Sequence, residues 1–405
     1  MNIWSISKYA TVPKYGRLAR TFILAKEFVK QGHKVLLLTS DANHLAKYPK
    51  TEEIYNFDNI DGIEICLIKT KKYQKTASFS RVLSWLDFER RLFKLNRTKL
   101  IRPDIILVSS LSIFTILYGY YLKRKYKVPL VFEIRDIWPL TMVEEGNFSK
   151  WHPLVLLIGW IEKFGYKKSD LIVGTMPNLN EHIKNVIGYN RPFFCAPFGF
   201  DKEFYVNESA NQLLQCSQNL PKGKIIIGYA GSMGITNNLS PLIAAIKLLQ
   251  SRKDIFFALA GDGDLRLEFE DELNDCQNVL FLGELPHYEV NSFLMNCSVV
   301  YLSTKKSKVW SYGQSMNKVV EYMLAAKPIL ASYTGYQSMI NEAECGKFIS
   351  TDEPAQLKNE ILSICNLTER ERLDMGSKGR EWILKHRSYD LLASEYIEQL
   401  ERLIE

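Results

Sequence analysis

The stretch KIIIGYAGSMGITNNLSPLIAAIKLLQ, residues 224–250, reads as strand, glycine-rich turn and helix in direct succession. Ile225–Tyr229 is a short apolar run, Gly231–Gly234 a turn, and Pro241–Gln250 a helix opening behind Asn237 and Asn238. An apolar strand that passes straight into a helix belongs to a parallel sheet buried on both faces. Downstream the alternation predicts strands at Ile255–Ala260, Val279–Leu282, Val299–Leu302 and Pro328–Ala331, with helices at Leu265–Leu273 and Met316–Ala326. Beyond Thr368 the chain reads as helical. Upstream the same alternation predicts strands at Asn2–Ser7, Lys34–Thr39, Ile63–Ile68, Ile105–Val108, Leu130–Glu133 and Leu171–Gly174, and a helix at Leu18–Gln31.

The reading is therefore α/β, with two Rossmann-like doubly wound parallel-sheet domains facing across a cleft. Pro197, Phe198-Gly199 and Pro221-Lys222-Gly223 interrupt the periodicity, which sets the expected domains at 1–197 and 198–385. A length of 405 residues suits two such cores. With 46% hydrophobic and 24% charged residues the chain has globular rather than disordered composition. Seven cysteines without a C-x-x-C pair (66, 195, 216, 276, 297, 345, 365) predict a reducing compartment and no zinc site. The N-terminus runs into a strand without a basic leader, which predicts a cytoplasmic protein.

Ile105–Leu122 is uncharged over eighteen residues, the lower limit for a membrane span, but its serines, tyrosines and glycine favour a strand followed by a helix. Residues 69–102 carry eleven Lys and Arg against Asp87 and Glu89, a local charge of +9 within a net +7. Interleaved Trp85, Phe88 and Phe93 give this segment the pattern of a basic amphipathic surface, which suits an anionic membrane better than a nucleic acid. A solvated helix face with an ordinary core side is the alternative.

Four motifs carry chemistry. In residues 312–328, Ser315 or Asn317 is placed to cap a helix whose N-terminal amides, with those of Gly313 and Gln314 ahead of them, suit a diphosphate. Lys318 stands in the first turn, where a cation opposes the helix dipole and needs an anion in front of it. Glu321 follows one turn later on the same face, placed to accept hydrogen bonds from ribose hydroxyls. Gly231, Ser232 and Gly234 let backbone approach a phosphate, though a tight βα turn explains the glycines as well. Arg135 and Asp136 leave a strand end, either as stabilising cation and acceptor-orienting carboxylate or as a structural ion pair. Gly16 and Arg17 lie in the loop after the first strand. Asp262-Gly263-Asp264 has the spacing of a metal motif but reads as a turn.

Taken together these segments resemble family 4 glycosyltransferases of the GT-B fold, in the branch that builds bacterial surface polysaccharides such as O-antigen and capsule. The family pattern is Glu, seven residues, Glu, then Ala-Gly-x-Pro. Glu321 matches the second Glu, the first falls on Gly313, and the Gly has become Ala326. The loop Ser232–Asn238 lacks the Arg and Lys common in the family, which shifts diphosphate neutralisation onto Lys318 and Arg135. Phe281–Leu285 is similar to the family turn that borders the base through backbone near Leu285. Arg372–Arg380 resembles the family ending, which implies that helix 386–405 crosses back onto the first domain.

The resemblance implies a nucleotide-sugar donor, UDP-linked by preference, in the second domain and a lipid-linked saccharide acceptor on the first. It also implies retention of configuration, no metal, no cofactor, and attachment to the inner face of the cell membrane through 69–102, without nucleic acid. The sugar expected is an N-acetylated or deoxy hexose. A nucleotide-sugar 2-epimerase or an inactive binding subunit of the same fold are the rivals. A dinucleotide oxidoreductase fails for want of G-x-G-x-x-G after either first strand.

Overall fold

The computed structural model describes residues 1–405 apart from 17–19, 44, 45, 50, 74–78, 204, 206–219 and 351. Arg17 and Cys216, named above, and residues 74–78 of the basic stretch lie outside the described residues, as do the first two positions of the helix predicted at 18–31. The chain forms two compact units, Met1–Pro197 together with Tyr389–Glu405, and Phe198–Ser388.

The first unit is built on eight strands: β1 (Asn2–Ile6), β2 (Lys34–Ser40), β3 (Tyr55–Ile60), β4 (Ile63–Ile68), β5 (Ile105–Ser109), β6 (Leu130–Ile134), β7 (Leu171–Gly174) and β8 (Phe193–Cys195). Their order is β3-β4-β2-β1-β5-β6-β7-β8, parallel except for the β3–β4 hairpin. That hairpin turns at Asp61 and Gly62, both at positive φ (53° and 79°), the backbone that an Asp-Gly pair supplies most readily. Ile105–Leu122 resolves into β5 and the start of the helix Thr115–Tyr126, and among the described residues no helix is long and apolar enough to cross a membrane.

The helix Tyr389–Glu401 returns to this unit after the whole of the second. Tyr389, Leu392, Ala393, Tyr396, Ile397 and Leu400 join the core beneath the helix Arg20–Lys30. A buried ion pair stands beside it. Arg20 donates to Glu133 at 2.7 Å and to the Ala196 carbonyl at 2.7 Å, and the Tyr396 hydroxyl lies 3.4 Å from the same carboxylate.

The second unit has six parallel strands: β9 (Ile225–Ala230), β10 (Ile255–Ala260), β11 (Val279–Gly283), β12 (Val299–Ser303), β13 (Ile329–Ser332) and β14 (Gly346–Ile349). Their order is β11-β10-β9-β12-β13-β14, so the winding reverses between β9 and β12. In such sheets ligands bind outside the carboxyl ends at the reversal.

Candidate functional site

The loop after β9 and the helix Asn317–Leu324 meet at that reversal. The helix is pinned by Tyr322, whose hydroxyl accepts the Ala230 amide at 3.0 Å and lies 3.2 Å from the carbonyls of Ala230 and Tyr301. This places Lys318 against the β9 loop. Its Nζ donates to Asn237 Oδ1 at 2.6 Å and to the Tyr229 hydroxyl at 3.0 Å, and sits 4.9 Å above the Tyr229 ring. The cation missing from Ser232–Asn238 in the sequence is thus delivered there from a residue almost ninety positions downstream. Burial pushes the Lys318 ammonium down to about 8, an effect Glu321 partly offsets.

Gly231 makes this possible. A Cβ there would overlap Lys318 Cε, and one at Gly261 would overlap the Gly231 carbonyl. The loops after β9 and β10 are laced by backbone bonds from Gly231 to Ala260 and from Met233 to Asp262, each 2.9 Å. Asp262-Gly263-Asp264 is the second of these turns. The Ser232 and Gly234 amides carry no backbone partner among the described residues and so stand among the open donors of the loop.

Glu321 is one-third exposed at its side chain, with His287 Nε2 3.5 Å from its Oε1. His287 opens the helix His287–Met295, two residues after Leu285, which is half-buried beyond β11. Leu285, His287, Glu321 and Lys318 therefore belong to neighbouring loop and helix ends of one sheet edge.

The expected cap is corrected. Neither Ser315 nor Asn317 caps the helix: Met316 holds the N-cap position without a side-chain bond, and Ser315 Oγ instead accepts the Phe198 amide at 2.7 Å. The first-turn amides are left without a side-chain acceptor. Gly313 explains the absent carboxylate. Its φ of 100° and ψ of 178° are open essentially to glycine alone, so a Glu at this position would be strained.

Gln314, beside it, is 1% exposed, and neither its amide oxygen nor its nitrogen has a hydrogen-bond partner among the described residues. An unsatisfied buried amide costs about 1–3 kcal/mol. Gln314→Met is expected to raise unfolding stability by about 1 kcal/mol or more while weakening nucleotide-sugar affinity about tenfold. Denaturant melts and donor titration of the same variant check both signs, and a stability loss without an affinity loss would remove Gln314 from the site.

Ala326, where the family pattern has Gly, keeps the left-handed conformation (φ 53°). The Ala326 amide bonds the Met323 carbonyl at 3.0 Å and the Lys327 amide the Tyr322 carbonyl at 3.4 Å, a Schellman closure that glycine serves better. Ala326→Gly is expected to stabilise the chain by about 1 kcal/mol, read as a shift in the denaturant midpoint at constant slope.

In the first unit, Arg135 and Asp136 follow β6. Ser110 Oγ accepts the Arg135 amide at 3.0 Å. Burial raises the Asp136 carboxyl above its ordinary value, opposed by Arg135 and Arg81, and burial lowers the Arg135 guanidinium, opposed first by Glu133. Gly16 pairs with Ala46 in an isolated antiparallel bridge.

The basic stretch is corrected in one respect. Trp85 and Phe88 point into the core, Trp85 donating its indole N–H to Tyr9 at 2.7 Å, so of the three named aromatics only Phe93 is exposed. The amphipathic pattern is that of a helix covering a core. Its cations are partly paired: Asp87 accepts from Arg90 at 2.7 Å and Arg91 at 3.0 Å, and Lys72 meets Asp41 at 2.8 Å. Lys69, Lys71, Arg90 and Arg91, with Asp87, Thr70, Leu83 and Leu86, line an open groove of about 510 Å³.

Two units built on largely parallel sheets of this topology have the GT-B architecture of glycosyltransferases. Sucrose-phosphate synthase from Thermosynechococcus elongatus superposes with a TM-score of 0.73 at 16% identity, covering 99% of this chain and 98% of that one. HepE of Anabaena, solved in complex with UDP-glucose, gives 0.64 at 15% identity and covers all of both chains. These likenesses are of fold. In sequence, residues 20–204 match the domain family Glycosyltransferase Family 4, and residues 224–366 match Glycosyl transferases group 1. The chain is a glycosyltransferase of the GT-B type. It carries a family 4 domain in its first half and a group 1 domain in its second, and it is 26% identical over 314 residues to the probable glycosyltransferase WbjE of Pseudomonas aeruginosa, covering 74% of this chain and 75% of that one.

Proposed function

We propose that the chain transfers an N-acetylated or deoxy hexose, with retention, from a UDP-linked donor to a lipid-linked saccharide in bacterial surface polysaccharide synthesis. The observation that carries this reading is the Lys318 ammonium folded onto the Gly231–Asn237 loop, with Glu321 one helical turn away. Glu321 binds the ribose, and backbone at Leu285 borders the base. The departing nucleoside diphosphate gains negative charge, which Lys318, the open amides of Ser232 and Gly234, and the uncapped first turn at Asn317 stabilise. Gln314 offers its amide to the sugar in place of the carboxylate that Gly313 cannot supply. On the first unit, Asp136 orients or deprotonates the acceptor hydroxyl, helped by its raised affinity for a proton, while Arg135 supports phosphate charge.

That HepE was solved with UDP-glucose supports a UDP-linked donor here. The cationic groove between Lys69 and Arg91 suits the phosphate of a lipid-linked acceptor, and the reading sets the protein peripherally on the inner face of the cell membrane. The test is transfer of radiolabel from a panel of UDP-, GDP- and dTDP-sugars into extracted lipid, with thermal shift against the same donors. Donor turnover at the same rate without any lipid acceptor would replace transfer by epimerisation or hydrolysis.

A further inference from the structure

We infer that the helix Pro153–Lys168, with the turn before it, is the surface by which the first unit docks on an anionic bilayer; this rests on the lipid-linked acceptor proposed above. Apolar side chains of this size are normally buried, and a contiguous exposed patch marks an interaction site. Trp151 is 72% and Trp160 59% exposed, and Leu156 and Leu157 between them are about half exposed. The spacing 156, 157, 160 puts the three helical members on one stripe. Phe164 extends it: it stacks on Trp160 at 5.8 Å and meets Tyr120 of the neighbouring helix edge-on at 5.1 Å.

The charge around the stripe identifies what covers it. Lys150 lies 5.4 Å over the Trp151 ring and Lys168 5.9 Å over Tyr120, and Lys163 and Lys167 are exposed on the same helix. The helix's one acid, Glu162, is buried and bonded to His182 at 2.7 Å and Tyr166 at 3.0 Å. Tryptophan and leucine bounded by lysine, with no exposed acid on the helix, is the composition of a helix lying in a membrane interface, where indole rings sit at the headgroup level and lysines meet anionic lipid. A second copy on this face would oppose like charges. The helix spans sixteen residues and is too short to cross. The assignment differs from the basic stretch, whose aromatic side is largely core.

The test uses the full chain and vesicles of phosphatidylcholine with or without phosphatidylglycerol, read by co-sedimentation. The wild type is expected to pellet with the anionic vesicles, and Trp151→Ser/Trp160→Ser to lose at least tenfold in partition coefficient. Lys163→Ala/Lys167→Ala/Lys168→Ala should lose the preference for anionic lipid. Both substitution sets alter exposed side chains, and circular dichroism verifies the fold. Equal partition of the wild type and the tryptophan variant overturns the inference, as does a wild type that binds neither vesicle. A dimer of the wild type that the tryptophan variant dissociates, seen by sedimentation velocity, overturns it in favour of a second copy. UDP-sugar thermal shift in the same samples separates the two readings: failure there removes the glycosyl-transfer proposal and leaves the vesicle result to stand or fall alone.

Discussion

Glu321→Ala is expected to lower kcat/KM for the nucleotide sugar by two to three orders of magnitude while leaving the fold intact. The carboxylate has two oxygens for two ribose hydroxyls, and a hydrogen bond to a charged group contributes about 1.5–3 kcal/mol. Losing both costs about 3 kcal/mol or more, and each 1.36 kcal/mol is about tenfold in rate. The side chain is one-third exposed and its neighbour in the free protein is His287, so its removal opens no core cavity. His287→Ala serves as the control, since it removes that neighbour and keeps the carboxylate. Near-normal turnover of Glu321→Ala would take the ribose away from this residue.

Lys318→Met is expected to lower kcat by about 10²–10³, the range for removing one donor aimed at charge that grows in the transition state. Donor affinity should fall less, because the ground-state diphosphate keeps the backbone amides. Arg135→Met should show the same split with a smaller effect. The pH profile gives a second readout. Lys318 loses its proton near pH 8 in the free protein, so kcat/KM should decline as pH rises through about 8. Lys318→Arg, which stays charged, should abolish that limb. Stability moves oppositely. The unfolded chain holds this proton up to the ordinary 10.5, so the charged form's burial disfavours folding below about 8. That cost is relieved as pH climbs from about 8 towards 10.5, because the unfolded state then binds more protons than the folded one. The difference between wild type and Lys318→Met, measured in denaturant at several pH values, isolates it. Unchanged kcat in both Lys318→Met and Arg135→Met would assign the diphosphate to backbone amides alone.

Buried parallel strands are legible because both faces are apolar, so β2, β5, β9 and β10 stand in the sequence as apolar runs. The strands that were missed are those for which this fails. β3 is a polar edge strand whose alternation is weak, although Asp61-Gly62 announced its hairpin. β8 has three residues, and β14 opens on Gly346-Lys347. In the candidate site, Lys318 and Glu321 stand out in the sequence because a cation in a first turn and a carboxylate one turn on are locally odd. Tyr229, Asn237, His287 and Tyr322 were not, because each acts on a residue or a strand end that only the sheet brings near. The one local hint was Tyr322, a hydroxyl on the buried side of the helix Asn317–Leu324. The cap at Ser315 was misread because a hydroxyl ahead of a helix has two kinds of backbone partner, and here it serves Phe198. Periodicity in residues 69–102 leaves a membrane face and a core-covering helix open, because a core and a bilayer demand the same apolar stripe.

The placement of Tyr389–Glu401 bears on how the protein is made. The first unit's first strand begins at Asn2, yet Tyr396 and Leu400 of its core arrive only after the intervening second unit has been synthesised. On the ribosome the second unit, contiguous from Phe198 to Ser388, can complete its sheet first, against the usual N-terminal-first order. Until the last helix emerges, the apolar surface around Phe28 and Phe194 lacks the Tyr396 ring that packs on both. The nascent first unit thus keeps this part of its core uncovered until that helix emerges, and a chain stopped before Tyr389 leaves it open.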